Sequence, residues 1–376
     1  MTFLSEHNLS RERLKVPLSQ RGRSSVEFLG ALQNFSSGAL RPKARADFAA
    51  DPDGARLNAL ARDGRSNAPW AERVGAARTV AEKSTSYRFE RFYQRVVAEE
   101  QWTRTIQAVE ERRPLFEAFL NAPARQVGGT LELDPDLAMP DYYASVEWHL
   151  EPGGWEGYDL YGPLFAVVAG PLIFRYGGYA AVEHGDNIVQ QRVNFLKQLP
   201  KSSYARIYEP GCGGVSTLAC AREVFPGAEL HGSDLSRQLL RMGHLTANKL
   251  GIPVHFKQRD ARATREPDGS VDAVVMYALM HEMPPEVSVA AFAEAYRILK
   301  PGGDLIVGDP PPFAAVEPFQ SVILDWETEH REEPYFTAAC EQDWGRSLAD
   351  IGFVDVRSYG MGRHAYPYVN RATKPA

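Results

Sequence analysis

The run Ile207-Tyr208-Glu209-Pro210-Gly211-Cys212-Gly213-Gly214-Val215 joins an apolar, strand-type segment to a glycine turn and then to a helix-type stretch. Glycines suit that turn because the backbone must bend tightly and admit a ligand closer than a Cβ would permit. Alone, the pattern serves NAD, FAD or S-adenosylmethionine (AdoMet). A second apolar segment ends in His231-Gly232-Ser233-Asp234-Leu235-Ser236, which puts a carboxylate 23 residues after Gly211, where a ribose diol would lie. A third ends in Arg259-Asp260-Ala261 and offers a carboxylate suited to the exocyclic amine of adenine. A helix-type stretch, the turn Lys300-Pro301-Gly302-Gly303 and a further apolar run, Asp304–Val307, follow. A dinucleotide oxidoreductase would use Gly211, Gly213 and Asp234 equally well, but it gives no role to Asp260 or to the Pro-Gly-Gly turn.

These residues must be held by strands and helices in alternation. Strand-type runs lie at 205–208, 229–232, 254–258, 271–276, 304–308 and 354–359, with helical patterns such as 216–225, 236–250 and 287–299 between them. Alternation of this kind predicts a parallel α/β sheet wound on both faces. Upstream, residues 1–40 read as a flexible arm, with one short helix around 26–34. Residues 41–125 carry apolar residues at helical spacing, including Phe89, Phe92, Tyr93, Val96 and Val97, and read as a helical N-terminal domain. Residues 126–185 read as an acidic, aromatic-rich connecting or lid segment, and 186–376 as the ligand-binding domain.

Charge divides the chain the same way. Residues 1–125 hold 21 Lys/Arg against 15 Asp/Glu, whereas 126–174 hold 8 acids and no Lys or Arg; the whole chain of 376 residues has a formal charge of −6. A duplex binder carries a surplus of cations to neutralise phosphates, so nucleic acid is not the expected partner. Arg and Glu interleave on the N-terminal helices, as in Glu99, Glu100 and Arg104, which fits a solvated or partner-facing surface. Three scattered cysteines, Cys212, Cys220 and Cys340, support neither a disulfide framework nor a zinc site, and no metal is expected. No run approaches the roughly 18 apolar residues of a bilayer span. The opening MTFLSEHNLSRERLK lacks the apolar centre of a secretory signal, so no membrane association and a cytoplasmic location are expected.

Taken together and in this order, the four signatures resemble those of class I AdoMet-dependent methyltransferases, over about Asp186 to Arg371. The resemblance implies a seven-stranded Rossmann-like sheet with a mainly helical N-terminal domain, and an antiparallel strand in which 355–359 pairs with 365–369. It implies that Glu209, Gly211, Gly213, Asp234, Leu235, Asp260, Ala261 and Tyr277 contact AdoMet. Two departures are visible: Glu209 stands where Asp is commoner, and Val215 occupies the usual third glycine position.

In such a fold the cofactor sits outside the C-terminal ends of the strands. The fourth strand ends in Tyr277-Ala278-Leu279-Met280-His281-Glu282, so the resemblance puts His281 near the methyl group as a candidate general base, imidazole having a suitable pKa. Substrate contacts are expected from Glu282, Asp309 and the aromatic segment, through Tyr158, Tyr161, Tyr176 and Tyr179. Asp309-Pro310-Pro311-Pro312-Phe313 looks like the signature of amine-modifying enzymes but follows the wrong strand. The expected activity is methylation of a small molecule, on oxygen before nitrogen or carbon. The alternative is a non-catalytic AdoMet-fold regulator or assembly protein acting through its N-terminal helices; a homodimer through those helices is the candidate assembly.

Overall fold

The computed structural model describes residues 16–64, 68–123, 127–177, 179 and 182–376. Helices α1 (Gln20–Phe35), α2 (Arg41–Ala50), α3 (Pro52–Arg62), α4 (Trp70–Ala81), α5 (Thr85–Glu110) and α6 (Arg113–Leu120) form the N-terminal part. The expected flexible arm extends at most to the first helix: residues 1–15 lie outside the described residues, and the chain is helical from Gln20, passing through Ser36–Leu40 into α2 without a break. Its anchor is apolar, since Val26 and Leu29 pack with Val97, Trp102 and Val109 of α5. Polar burial reinforces it: Arg41 Nε donates to Glu90 Oε1 at 2.9 Å with both side chains 1 % exposed.

Among the described residues one eight-stranded sheet follows the order β1-β4-β3-β2-β5-β6-β8-β7. Its strands are β1 (Thr130–Glu132), β2 (Arg206–Pro210), β3 (Glu229–Asp234), β4 (Val254–Gln258), β5 (Val271–Tyr277), β6 (Leu299–Asp309), β7 (Val354–Gly360) and β8 (Tyr368–Thr373). The central strands are covered on both faces and read as apolar runs for that reason, as in Val271–Tyr277. The expected count of seven omitted β1, a three-residue strand that the acidic segment adds in parallel to the β4 edge, Thr130 opposite His255; too short to show alternation, it is set by its neighbour. The last strand also begins later than the expected 365. His364 and Ala365 hold positive φ angles of 51° and 61° within a turn, and the ladder with β7 starts at Tyr368.

Between the strands run α7 (Ile188–Leu196), α8 (Ser216–Val224), α9 (Arg237–Leu250), α10 (Pro285–Ile298), α11 (Pro318–His330), α12 (Phe336–Cys340) and α13 (Trp344–Ile351). Strand order reverses between β2 and β5, so their C-terminal ends diverge and leave a crevice. The N-terminal helices close on this layer through α4 against α11 and through Arg331, which donates to Gln94 at 2.5 Å and pairs with Glu327 at 3.0 Å. The segment from Asp141 to Tyr176 runs in short helical turns over the crevice.

Candidate functional site

The backbone leaves β2 through Gly211 and Gly213, whose φ angles of 63° and 54° belong to the left-handed region. A Cβ on Gly211 would meet Leu279 Cδ1 at 2.4 Å, and one on Gly213 would meet nothing within 4 Å because it would project into the crevice. The close approach to the next helix that a third glycine usually provides comes from another pair: a Cβ on Gly243 of α9 would lie 2.9 Å from Gly214 Cα. Val215 instead packs in the core.

Asp234 ties this loop to β3. Its Oδ2 accepts from Gly213 N and its Oδ1 from Ser236 N, each at 2.8 Å. Burial raises its pKa to about 6 against those two backbone donors, so it is mostly ionised at neutral pH, with a lone pair on each oxygen still free for a diol. Gln258 Nε2 donates to Leu235 O at 2.9 Å and fixes the next residue.

A cavity of about 250 Å³ opens here. On the sheet side it is lined by Gly211, Cys212, Gly213, Asp234, Leu235, Ala261 and Tyr277, and on the far side by Tyr142, Tyr143, His149, Trp155, Tyr161 and Phe165. Glu282, Leu279 and Met283 of the turn after β5 complete it, with Arg192 and Arg259. Trp155 is itself seated by stacking on Trp148, centroids 5.1 Å apart. Of the expected cofactor and substrate contacts, Gly211, Gly213, Asp234, Leu235, Ala261, Tyr277, Tyr161 and Glu282 are therefore brought together.

Seven are not. Asp260 is absent from the wall because both its oxygens engage Arg262, Nη2 at 2.7 Å, while its neighbours Arg259 and Ala261 face the cavity. Glu209 is buried behind the glycine loop beside Thr217 and Arg192; desolvation lifts its pKa to about 8 and leaves it largely protonated near neutrality. Tyr158 lies where the chain is extended, and its hydroxyl donates outward to Glu110 at 2.7 Å, whereas Tyr161 opens the following helical turn and reaches the cavity. Tyr176 packs against α1 at Gly30, and Tyr179 lies between Phe174 and the Arg331 guanidinium.

The remaining two corrections are His281 and Asp309. His281 Nδ1 is 2.9 Å from Asp309 Oδ1 and Nε2 is 3.4 Å from Glu282 Oε1; neither His281 nor Asp309 lines the cavity. Burial opposes charge on this imidazole, but Asp309 and Glu282 outweigh it and hold its pKa well above the usual histidine range. With both nitrogens facing carboxylates and the ring off the cavity wall, the imidazole is paired within the protein and does not face a substrate.

Sequence reasoning missed His149, the histidine that does line the cavity. It sits at φ 58°, an unusual conformation for a residue with a Cβ, and Trp102 Nε1 donates to its carbonyl at 2.6 Å. Its Nε2 is 3.1 Å from Glu333 Oε1 and 3.6 Å from Glu282 Oε1. Burial would lower its pKa, but Glu333 and Glu282 raise it to about 10. The signal in the sequence was slight: one histidine inside a dense aromatic and acidic stretch.

Residues 207–303, about a quarter of the chain, match the family described as Methyltransferase domain, and the chain carries a class I AdoMet-dependent methyltransferase domain there. The chain is 34 % identical over 118 residues to a demethylmenaquinone methyltransferase of Thermus thermophilus, covering 31 % of this chain and 50 % of that protein. It is 35 % identical over 120 residues to a ubiquinone biosynthesis O-methyltransferase of Cupriavidus pinatubonensis, covering 31 % and 45 %. The chain thus spans about half the length of the curated relatives it matches. Among solved structures, a SAM-dependent methyltransferase from Aquifex aeolicus is similar at 20 % identity and a TM-score of 0.38, over 50 % of this chain and 94 % of that one. Among the described residues no helix is long and apolar enough to cross a membrane.

Proposed function

We propose that the protein transfers a methyl group from AdoMet to an oxygen of a small organic molecule, one with a planar or apolar body, in a cytoplasmic setting. The observation that carries this reading is the continuity of one cavity from the glycine loop and Asp234 to a wall of five aromatic rings. The residues present suit the cofactor: Gly213 leaves open space at its Cα, Asp234 keeps a free lone pair on each oxygen for ribose hydroxyls, and Leu235 with Ala261 gives apolar contact for a purine.

When bound, AdoMet supplies a methyl group on a positively charged sulfur, which the acidic side chains of the cavity favour. The chain's own work is alignment. Tyr142, Tyr143, Trp155, Tyr161 and Phe165 bury the substrate body and exclude water, which favours an in-line displacement by holding the nucleophile at the right angle. Burial pushes the phenols of Tyr143 and Tyr161 well above their ordinary range, so both act as neutral donors. Glu282, held near pKa 2 by His281 and His149 against the cost of burial, is the ionised acceptor at the wall and orients a hydroxyl proton. The names of the Cupriavidus and Thermus relatives support a small-molecule acceptor, and the former supports oxygen.

For the assembly, Phe28, Phe35, Phe89 and Phe92 stand exposed on α1 and α5 and support the candidate homodimer. Calorimetric titration with AdoMet and with its demethylated product, followed by a screen with methyl-labelled donor over phenols, carboxylates and amines, tests the reading. Binding of both cofactor forms and label on phenols or other hydroxyls is the expected result; binding of neither form overturns it.

A further inference from the structure

We propose that His149, Glu282 and Glu333 form a site for one divalent transition-metal ion at the edge of the cavity. The three come from separate places in the chain: the segment after Trp148, the turn after β5 and the turn between α11 and α12. One ligand atom from each lies within 4.8 Å of the other two. His149 Nε2 stands 3.1 Å from Glu333 Oε1 and 3.6 Å from Glu282 Oε1. Zinc-type ions bond nitrogen and oxygen at about 2.0–2.2 Å, which spaces tetrahedral ligands by roughly 3.3 Å. The His149 spacings already approach that frame.

A second observation points the same way. The Glu333 side chain is 7 % exposed, and its Oε2 is buried without a hydrogen-bond partner, 3.9 Å from His281 Nε2 on the side of the cluster. Glu282 Oε2 is likewise buried without one. Buried carboxylate oxygens without donors are costly, and coordination would use their lone pairs. His281 then takes a different part from the one its motif suggested. Its Nε2 faces Glu282 and Glu333 and its Nδ1 faces Asp309, so it acts as a positioning residue behind the ligating carboxylates, in the manner of outer-shell partners that orient metal ligands.

Three protein ligands leave an open position, as in catalytic rather than structural sites. Since His149 and Glu282 line the cavity, that position faces the space between glycine loop and aromatic wall. Its use rests on the methyl-transfer reading above. A substrate hydroxyl held there would lose its proton more readily. The proton passes to solvent, the oxygen–methyl bond forms as the sulfonium carbon–sulfur bond breaks, and the donor leaves as a neutral thioether. The substrate class is accordingly a hydroxyl compound.

Glu229, His231 and His255, at the opposite end of β3 and β4, also group closely, but Arg206 Nη2 lies 3.2 Å from His231 Nδ1 and brings a fixed cation to that cluster. It serves as the control. Full-length protein stripped with a chelator is titrated calorimetrically with Zn²⁺ and separately with Mn²⁺, retained metal is counted by plasma mass spectrometry, and folding is followed by circular dichroism. The expected result is one ion per chain, at least about tenfold weaker in Glu333→Gln and in His149→Gln, roughly 10–100-fold weaker in His281→Ala, and unchanged in Glu229→Gln. If Glu333→Gln does not fold, His149→Gln carries the decision. Absence of stoichiometric metal, equal affinity in the folded ligand variants, or loss confined to Glu229→Gln overturns the site. AdoMet titration of the same samples separates the two claims: cofactor bound without metal removes the metal site alone, and metal bound without cofactor removes the methyl-transfer reading alone.

Discussion

The two walls of the cavity are built differently. The cofactor wall is made by the ends of four adjacent parallel strands, β4, β3, β2 and β5, and each contact is the last residue of its strand or follows it by one to three residues. The substrate wall gathers side chains from Tyr142 to Phe165, from α7 and from the turn after β5, held by tertiary contacts such as Trp148 against Trp155 and Trp102 against the His149 carbonyl. Local chain geometry places the first wall; packing between distant segments places the second. Substitutions in the first should therefore act on cofactor affinity, and those in the second on stability or on substrate.

The largest expected effect falls just behind the second wall. His281→Ala removes the cation between Asp309 and Glu282 and leaves buried carboxylates uncompensated, a loss on the order of 3–5 kcal/mol. Denaturant unfolding should show that loss. A variant of unchanged stability whose turnover alone falls and recovers at high pH would restore the histidine as a base.

On the cofactor wall, Asp234→Ala should weaken AdoMet by at least tenfold, since charge-assisted hydrogen bonds contribute on the order of 1.5–3 kcal/mol each and Gly213 N with Ser236 N also lose their acceptor. Calorimetry gives the dissociation constant directly. An unchanged value would break the contrast at its firmest point.

That contrast also explains what could be read from the chain alone. Glycine spacing and a carboxylate closing the next strand are properties of short segments, and Gly211, Gly213, Asp234, Leu235 and Ala261 were legible in consequence. Asp260 sits one residue from the wall, where local rotation hands its carboxylate to Arg262. Aromatic density in 126–185 marked the right segment but not the facing of each ring: Tyr158, Tyr176 and Tyr179 turn to the N-terminal helices or to Arg331, and Tyr161 to the cavity. The ligand-spaced group of His149, Glu282 and Glu333 spans 184 residues of sequence, and no periodicity connects them. Helix α1 was legible only as a short helix around 26–34, because its buried side is narrow, with Val26 and Leu29 among Ser, Arg and Gly.

Glu209 belongs to the first wall by sequence yet is buried behind it, and pH separates the two descriptions. Its folded pKa of about 8 lies above the ordinary carboxylate value, so the folded state holds the proton more tightly than the unfolded chain. The associated stability is fully present below about pH 4.5 and is lost as pH rises toward 8. Glu209→Gln keeps the neutral shape, so its melting temperature should fall less than that of the wild type as pH rises across this window. Parallel melting curves for the two proteins would mean that the carboxyl is ionised and paired, as a loop-ordering acid would be.

The smallest effect is the sharpest comparison within one segment. Tyr158 and Tyr161 are three residues apart, and each →Phe change removes only a hydroxyl. Tyr161 is buried at the cavity wall, whereas Tyr158 donates to Glu110 at the surface beside Arg113, a partly exposed contact. A hydrogen bond to substrate is worth about 0.5–1.5 kcal/mol net, so Tyr161→Phe should raise KM between about twofold and tenfold with AdoMet affinity unchanged. Tyr158→Phe should leave KM where it is and cost a few tenths of a kcal/mol in stability. Initial rates for both variants on one acceptor found in the label screen decide it. A KM shift in Tyr158→Phe without one in Tyr161→Phe would mean that the segment turns its other face to the substrate.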